Sequence, residues 1–178
     1  LLVGTPILTG SLSRIFLGIW TDQYGGRRVF AVVMLLSAVA TFLLSMADTY
    51  LMLLLAALGV GLAGGSFAVG VAYVARWYPA GQQGTALGIF GAGNVGAAVT
   101  KFIAPFILVA YGWTTVAQIW AAALAVTAVA FWFMTKEDPV TAARQARGER
   151  GHGALLQLEP LKRLQVWRFA LYYFFVFG

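Results

Sequence analysis

Three polar side chains sit in stretches that are otherwise apolar enough to lie in a bilayer: Arg14, Asn94 and Lys101. Arg14 precedes Asp22, the acid at the charged end of its helix, by eight residues, which is about 12 Å at 1.5 Å per residue. A guanidinium at that depth is beyond easy snorkelling. It costs at least about 2.5 to 3.5 kcal/mol unless it faces a protein interior or a wet cavity. Two uses fit: binding an anion, or pairing with a carboxylate on another helix. Asn94 brings a carboxamide that can donate to an oxyanion. Lys101 lies about 25 Å along its helix from Gly84. It either snorkels outward or charges an outer vestibule, where it attracts an anion or alters coupling to protons. Phe67, among Gly64, Gly65 and Gly70, is either a core aromatic or a ring facing open space. No nucleophile–base pair, metal-ligand cluster or phosphate loop accompanies these residues, so the reading is of a non-enzyme with no metal and no cofactor. His152, between Gly151 and Gly153, reads as solvated, since a metal needs more ligands than one histidine.

The element that must position Asn94 and Lys101 runs from Gly84 to Pro105, GTALGIFGAGNVGAAVTKFIAP. Its small residues Gly84, Gly88, Ala92, Gly96 and Thr100 recur every four positions and would form one narrow strip on a helix. With Gly91 and Gly93 they make a glycine motif that serves either close helix packing or packing plus a path for a small solute. Four runs are long enough to cross about 30 Å of hydrocarbon: Val29 to Ala47, Tyr50 to Ala75, Thr85 to Ala110 and Thr114 to Thr135. The chain is 61% hydrophobic and 10% charged, with a mean hydropathy of +0.82. Such values define an all-α, polytopic helical membrane protein. The two glycine-rich runs, Tyr50 to Ala75 and Thr85 to Ala110, joined by a short loop, also predict a tight hairpin.

Net charge +6 would point to nucleic acid on a soluble surface, but its placement says otherwise. Ten of the twelve Lys and Arg residues fall in alternate loops: Arg27 and Arg28; Arg76; then Lys136 through Arg168. By the positive-inside rule these loops are cytoplasmic, in a multi-pass protein of the cell (inner or plasma) membrane. Leu1 to Trp20 begins without a methionine or cap, and Trp167 to Gly178 is half a span, so the chain is expected to be part of a longer one. Leu155, Leu156, Leu158, Leu161 and Leu164 among Lys162 and Arg163 predict a short helix on the membrane surface.

The loop GIWTDQYGGRRV, with Gly18, Asp22, Gly25, Arg27 and Arg28, resembles the loop between helices 2 and 3 of the major facilitator superfamily. There the acid and bases latch helix ends together. The basic residue usual after the acid is Gln23 here. Glycines 59, 61, 64, 65 and 70, the Gly93–Asn94 pair and Arg14 together resemble the nitrate/nitrite porter branch. The resemblance divides the chain into an N-terminal-half bundle at 1–135 (helices 2 to 6), a cytoplasmic inter-half loop at 136–166 and the start of helix 7 at 167–178. It implies that Arg14 is the N-half substrate arginine, Asn94 an amide ligand and Phe67 one wall of an aromatic sandwich. In WRFALYYFFVFG it makes Tyr173 the hydroxyl donor and Phe177 the opposite wall, on one face at i, i+4. Gly88, Gly91, Gly93, Gly96, Thr100 and Lys101 would form the glycine motif and path.

Apart from the resemblance, buried cations, an amide, a glycine path and no acid within the complete spans point to a small anion. Nitrate is planar, singly charged and weakly hydrated, and a guanidinium fork matches two of its oxygens in-plane. With the resemblance, the expected function is nitrate and/or nitrite transport by alternating access, and the resemblance implies a second arginine on a C-terminal half facing Arg14. The implied partners are the anion, the bilayer, that other half of the transporter and, as an open alternative, protons; no nucleic acid is among them. Proton symport and nitrate/nitrite exchange stay equally open. The rival readings are a porter for another small solute, which would want more acids or amides, and a non-transporting anion receptor.

Overall fold

Apolar runs, and the few residues able to end them, set the elements. The computed structural model describes residues 4–149, 153 and 157–177, and every regular element among them is helical. Five long helices come first: α1 (Gly4–Tyr24), α2 (Gly26–Ser45), α3 (Tyr50–Ala75), α4 (Ala80–Ala92) and α5 (Val95–Met134). A short α6 (Pro139–Ala146), a 3₁₀ turn (Glu159–Lys162) and α7 (Leu164–Phe177) follow. Only Gly25 separates α1 from α2, at φ 95, a conformation that glycine adopts without steric cost. Thr49 starts α3, its Oγ1 accepting from the Met52 amide at 3.3 Å.

Among the described residues, three segments are long and apolar enough to cross a membrane: Gly26–Ser45, Tyr50–Ala75 and Ala80–Met134. α1 is less apolar, and its hydroxyls turn back on their own helix. Thr9 donates to the Thr5 carbonyl (3.0 Å), Ser11 to Ile7 (2.9 Å), Ser13 to Gly10 (3.1 Å) and Thr21 to Leu17 (2.6 Å). Such back-bonding satisfies polar groups where there is no water to do so.

α3 packs between α1 and α2, and the second arm of α5 packs on the far side of α2. Lipid removes most of the hydrophobic drive for helix association, so close van der Waals fit decides it. Glycine supplies that fit. A Cβ on Gly61 would lie 2.6 Å from the Pro6 carbonyl oxygen, one on Gly10 would lie 2.9 Å from the Gly61 oxygen, and one on Gly59 would lie 2.6 Å from the Ala40 Cβ. Leu17, Val29, Val33 and Val69 form the buried centre, with Phe30 against it.

The partial helical bundle is as expected, and α3 spans the residues read for the fourth helix, but the fifth does not run as one α-helix. α4 ends at Ala92, Gly93 and Asn94 sit at ψ −20 and −16, and α5 restarts at Val95. The amides of Gly93, Asn94, Gly96 and Ala97 bond three residues back, at 2.9 to 3.0 Å, which is 3₁₀ geometry. Three residues per turn instead of 3.6 rotates one half of the glycine ladder against the other, so it is not a single strip. Nor does it form a packed seam: at Gly84, Gly88, Gly91 and Gly96 an added Cβ would meet nothing within 4 Å among the described residues. α3 and α4 follow one another as the expected hairpin and touch, but not through their glycines, because the α3 glycines at 61, 64 and 65 face α1. α4 instead meets α3 where Phe90 lies over Gly70. Gly112, at φ 82 and ψ 166, turns α5 back on itself, and Trp120 Nε1 donates to Thr100 Oγ1 at 3.0 Å across the two arms.

The stretch read as a plain charged link contains α6, and α7 begins at Leu164, ahead of Trp167. Of the expected surface helix, Leu155 and Leu156 lie outside the described residues, Leu161 and Lys162 fall in the 3₁₀ turn with Leu158 and Arg163 flanking it, and Leu164 opens α7. His152 also lies outside them.

Candidate functional site

The close α1–α3 contact fixes Arg14. Ser13 is buried against Gly65, so the next residue is turned toward the edge of the helix pair. There it lines a cavity of about 560 Å³ with Gly64, Ser66 and Phe67 of α3, Phe90 of α4, Gly93 and Asn94 at the 3₁₀ break, and Tyr173 of α7. The Arg14 Nε is buried and has no hydrogen-bond partner among the described residues. No carboxylate lines the cavity, so its field is positive and its walls are mostly ring, methyl and bare backbone. A charge-assisted hydrogen bond is stronger in such surroundings than in water.

Phe67 and Phe90 stack at 5.5 Å between centroids, tilted by 36°. Asn94, in the N-cap position of α5, makes no capping bond and lines the cavity with its neighbour Gly93. Tightening the helix there puts the residues on either side of the break onto the same space.

Of the residues singled out in the sequence, Arg14, Phe67, Gly93, Asn94 and Tyr173 therefore meet around one cavity. The side chain of Phe177 lies outside the described residues. Gly88, Gly91, Gly96, Thr100 and Lys101 do not line the cavity: the glycines face open space, Thr100 holds Trp120, and Lys101 is exposed. Phe90 was not anticipated, although it stands four residues before Asn94 in the same motif and so shares its helical face.

The loop residues gather at the basic end of the bundle. Asp22 pairs with Arg76 at the end of α3. Arg76 Nη1 also lies 3.7 Å from Asp138 Oδ2 and donates to the Thr21 carbonyl at 3.3 Å. Asp138 is fully buried, and its Oδ1 caps α6 by accepting from the Thr141 amide at 2.9 Å. Arg144 of α6 donates to the Asp22 carbonyl at 2.5 Å. Arg27 donates to the Trp132 carbonyl at 2.5 Å and lies 4.3 Å over that indole, while Arg28 Nε is 3.9 Å from Glu137 Oε2. Gly25 abuts the Glu137 carboxyl, and Gly18 stands in open space. Burial, and then the Asp138 charge, push the Glu137 carboxyl above its ordinary range, against the weaker pull of Arg28 and Arg27. Asp22, Arg27 and Arg28 were expected to latch helix ends. Arg76 and the α6 residues that complete the network were not, although Asp-Pro at 138–139 is a helix-start signal.

A bundle of membrane-length helices with a cationic cavity and a charged latch at one end defines a class, and a family match agrees with it. The Major Facilitator Superfamily profile matches residues 1–178: the chain belongs to that superfamily and is a membrane protein. Within it, the chain is 43% identical to the "Probable nitrate/nitrite antiporter NarK1" of Thermus thermophilus over 97% of its own length and 40% of the relative's. It is 33% identical to the "Nitrite extrusion protein" of Bacillus subtilis over 100% of its length and 43% of the relative's. It is 36% identical to the "Probable nitrate/nitrite transporter NarK2" of Mycobacterium tuberculosis over 100% of its length and 45% of the relative's. The resemblance to nitrate/nitrite porters is thus borne out, over a chain that spans about two fifths of these curated relatives. No solved structure matches it.

Proposed function

We propose that the chain is the N-terminal part of a secondary transporter that moves nitrate and/or nitrite across the cytoplasmic membrane by alternating access, and that it is not an enzyme. Residues 1–135 act as the N-terminal-half bundle, 136–166 as the cytoplasmic inter-half link and 167–178 as the start of the seventh helix. The basic end of the bundle faces the cytoplasm, and a C-terminal half supplies the opposite wall of the cavity. The observation that carries this reading is the buried, unpartnered Arg14 Nε on a cavity without carboxylates. The names of the relatives support the choice of anion.

In this reading the guanidinium meets two nitrate oxygens in-plane, Asn94 donates to a remaining oxygen, and the Phe67–Phe90 pair keeps water from the contact. Tyr173 adds a hydroxyl from α7. A second arginine on the other half faces Arg14. Without anion the two cations repel and hold the halves apart; with anion bound, the charge is offset and the cavity closes around it.

The test is nitrate uptake into proteoliposomes that hold the full-length transporter, with and without internal nitrite and an imposed pH gradient. Arg14→Lys keeps the charge and loses the planar fork, so uptake efficiency is expected to fall about tenfold or more, the worth of one charge-assisted hydrogen bond. Full uptake by the lysine variant would sink the two-oxygen contact. Absence of flux in the wild type under every gradient would sink nitrate transport itself.

A further inference from the structure

Arg14 has a second open side. A groove of about 290 Å³ runs along the α1–α3 seam, toward the Gly4 end of α1, with Pro6, Ser11 and Val60 in its walls. Arg14 and Gly64 line both this space and the larger one. These are the two residues common to both linings. The smaller space has no acid in its walls. Its hydroxyl, Ser11, donates its one proton to the Ile7 carbonyl at 2.9 Å, which leaves Arg14 as the group there that can donate to an anion. Ser11 precedes Arg14 by nearly one helical turn, which sets the groove about 5 Å further toward the Gly4 end. A guanidinium has five N–H donors in one plane, so one edge can face the larger cavity while the other faces the groove.

We propose that the groove is a second, outer subsite for the same class of ligand, a small, weakly hydrated monovalent anion, and that Arg14 hands the anion from one space to the other. This rests on the transport reading above. An anion in the outer subsite is held by one edge of Arg14 and by little else, so it binds loosely and passes inward when the inner cavity is empty. Multi-site passage of this kind keeps binding favourable enough to enter and weak enough to leave. The outer subsite governs capture of external anion and leaves the hold of the inner cavity unchanged.

Val60→Phe and Ser11→Leu fill the smaller space, and neither residue lines the larger one. The experiment measures nitrate uptake by proteoliposomes of the full-length transporter over a range of external nitrate, together with calorimetric nitrate binding to the detergent-solubilised protein. Each variant is expected to raise KM for external nitrate about fivefold while kcat stays within about twofold, the signature of lost capture rather than lost turnover. Equilibrium affinity should match the wild type, which also shows that the variants fold. Wild-type KM in both variants would overturn the subsite. So would a joint loss of KM, kcat and equilibrium affinity, which would make the space a packing defect of the inner site. Wild-type protein without nitrate flux would overturn both this proposal and the transport reading, whereas normal wild-type flux with unaltered variants would overturn the subsite alone.

Discussion

A single methyl group separates glycine from alanine, and along this chain its cost depends on what stands opposite. At Gly65 a Cβ would collide with Ser13 Oγ and come 2.6 Å from Leu17 Cδ1. Gly65→Ala is expected to destabilise the bundle by about 1 to 3 kcal/mol, the usual cost of overpacking, seen as a lower midpoint in thermal unfolding in detergent. Gly88→Ala meets open space and should leave the midpoint of the same chain unchanged or raise it, by at most about 1 kcal/mol of helix propensity. Equal shifts for the two would remove the close α1–α3 contact from the account. The sequence shows that glycines are abundant in both helices but not which of them touch a neighbour, because that depends on a rotation about the helix axis. Arg14 was legible for the opposite reason: a buried charge is so costly that its type and depth alone demand a partner. Phe90 carried no such signal, being one aromatic among many in an apolar chain.

Among elements, the most informative is α6. Asp138 caps it from inside the network that joins α1, α3 and the end of α5, so a short helix outside the apolar spans is tied to the bundle by buried charge. Arg76→Ala would leave Asp138 buried without its counter-charge, expected to cost about 3 to 5 kcal/mol, with loss of protease protection at α6 as the local readout. An unchanged midpoint and intact protection would mean that the pairing contributes nothing. Glu137 gives the network a pH dependence. Its folded pKa is raised above the ordinary value of 4.5, so its favourable contribution is fully present below that value and is lost as pH rises through the folded value. Glu137→Gln, uncharged throughout, should keep the acid-side stability at neutral pH and flatten the profile. A midpoint that instead rises with pH in the wild type over that window would contradict the assignment. The link was read as a charged connection with one short surface helix among Leu155 to Leu164, and its polar composition gave no periodic signal for a helix at 139–146. Only the Asp-Pro pair announces α6, and its weight comes from a tertiary ion pair that no local pattern encodes. The same holds for the 3₁₀ break at Gly93–Asn94, since residues that tolerate one helical geometry tolerate the other.

At the scale of the whole molecule, Gly84, Gly88, Gly91 and Gly96 and most of α7 stay uncovered among the described residues, whereas Gly61, Gly64 and Gly65 of α3 are spent on α1. Under the proposed two-half reading, Gly88→Leu should leave the stability of this chain intact and reduce nitrate flux of the full-length transporter at least about tenfold, because it adds bulk where the other half must approach. Unaltered flux would place the other half elsewhere. Architecture was legible here because membrane-length runs and alternate basic loops are long-range patterns. The corner at Gly112 carries a different consequence. One residue at φ 82 joins two apolar arms, with Tyr111 and Trp113 exposed beside it, side chains suited to the headgroup region. A nascent chain emerging from the ribosome thus offers the insertion machinery almost no polar tether between these arms. The two arms are therefore expected to enter the lipid together, as one hairpin.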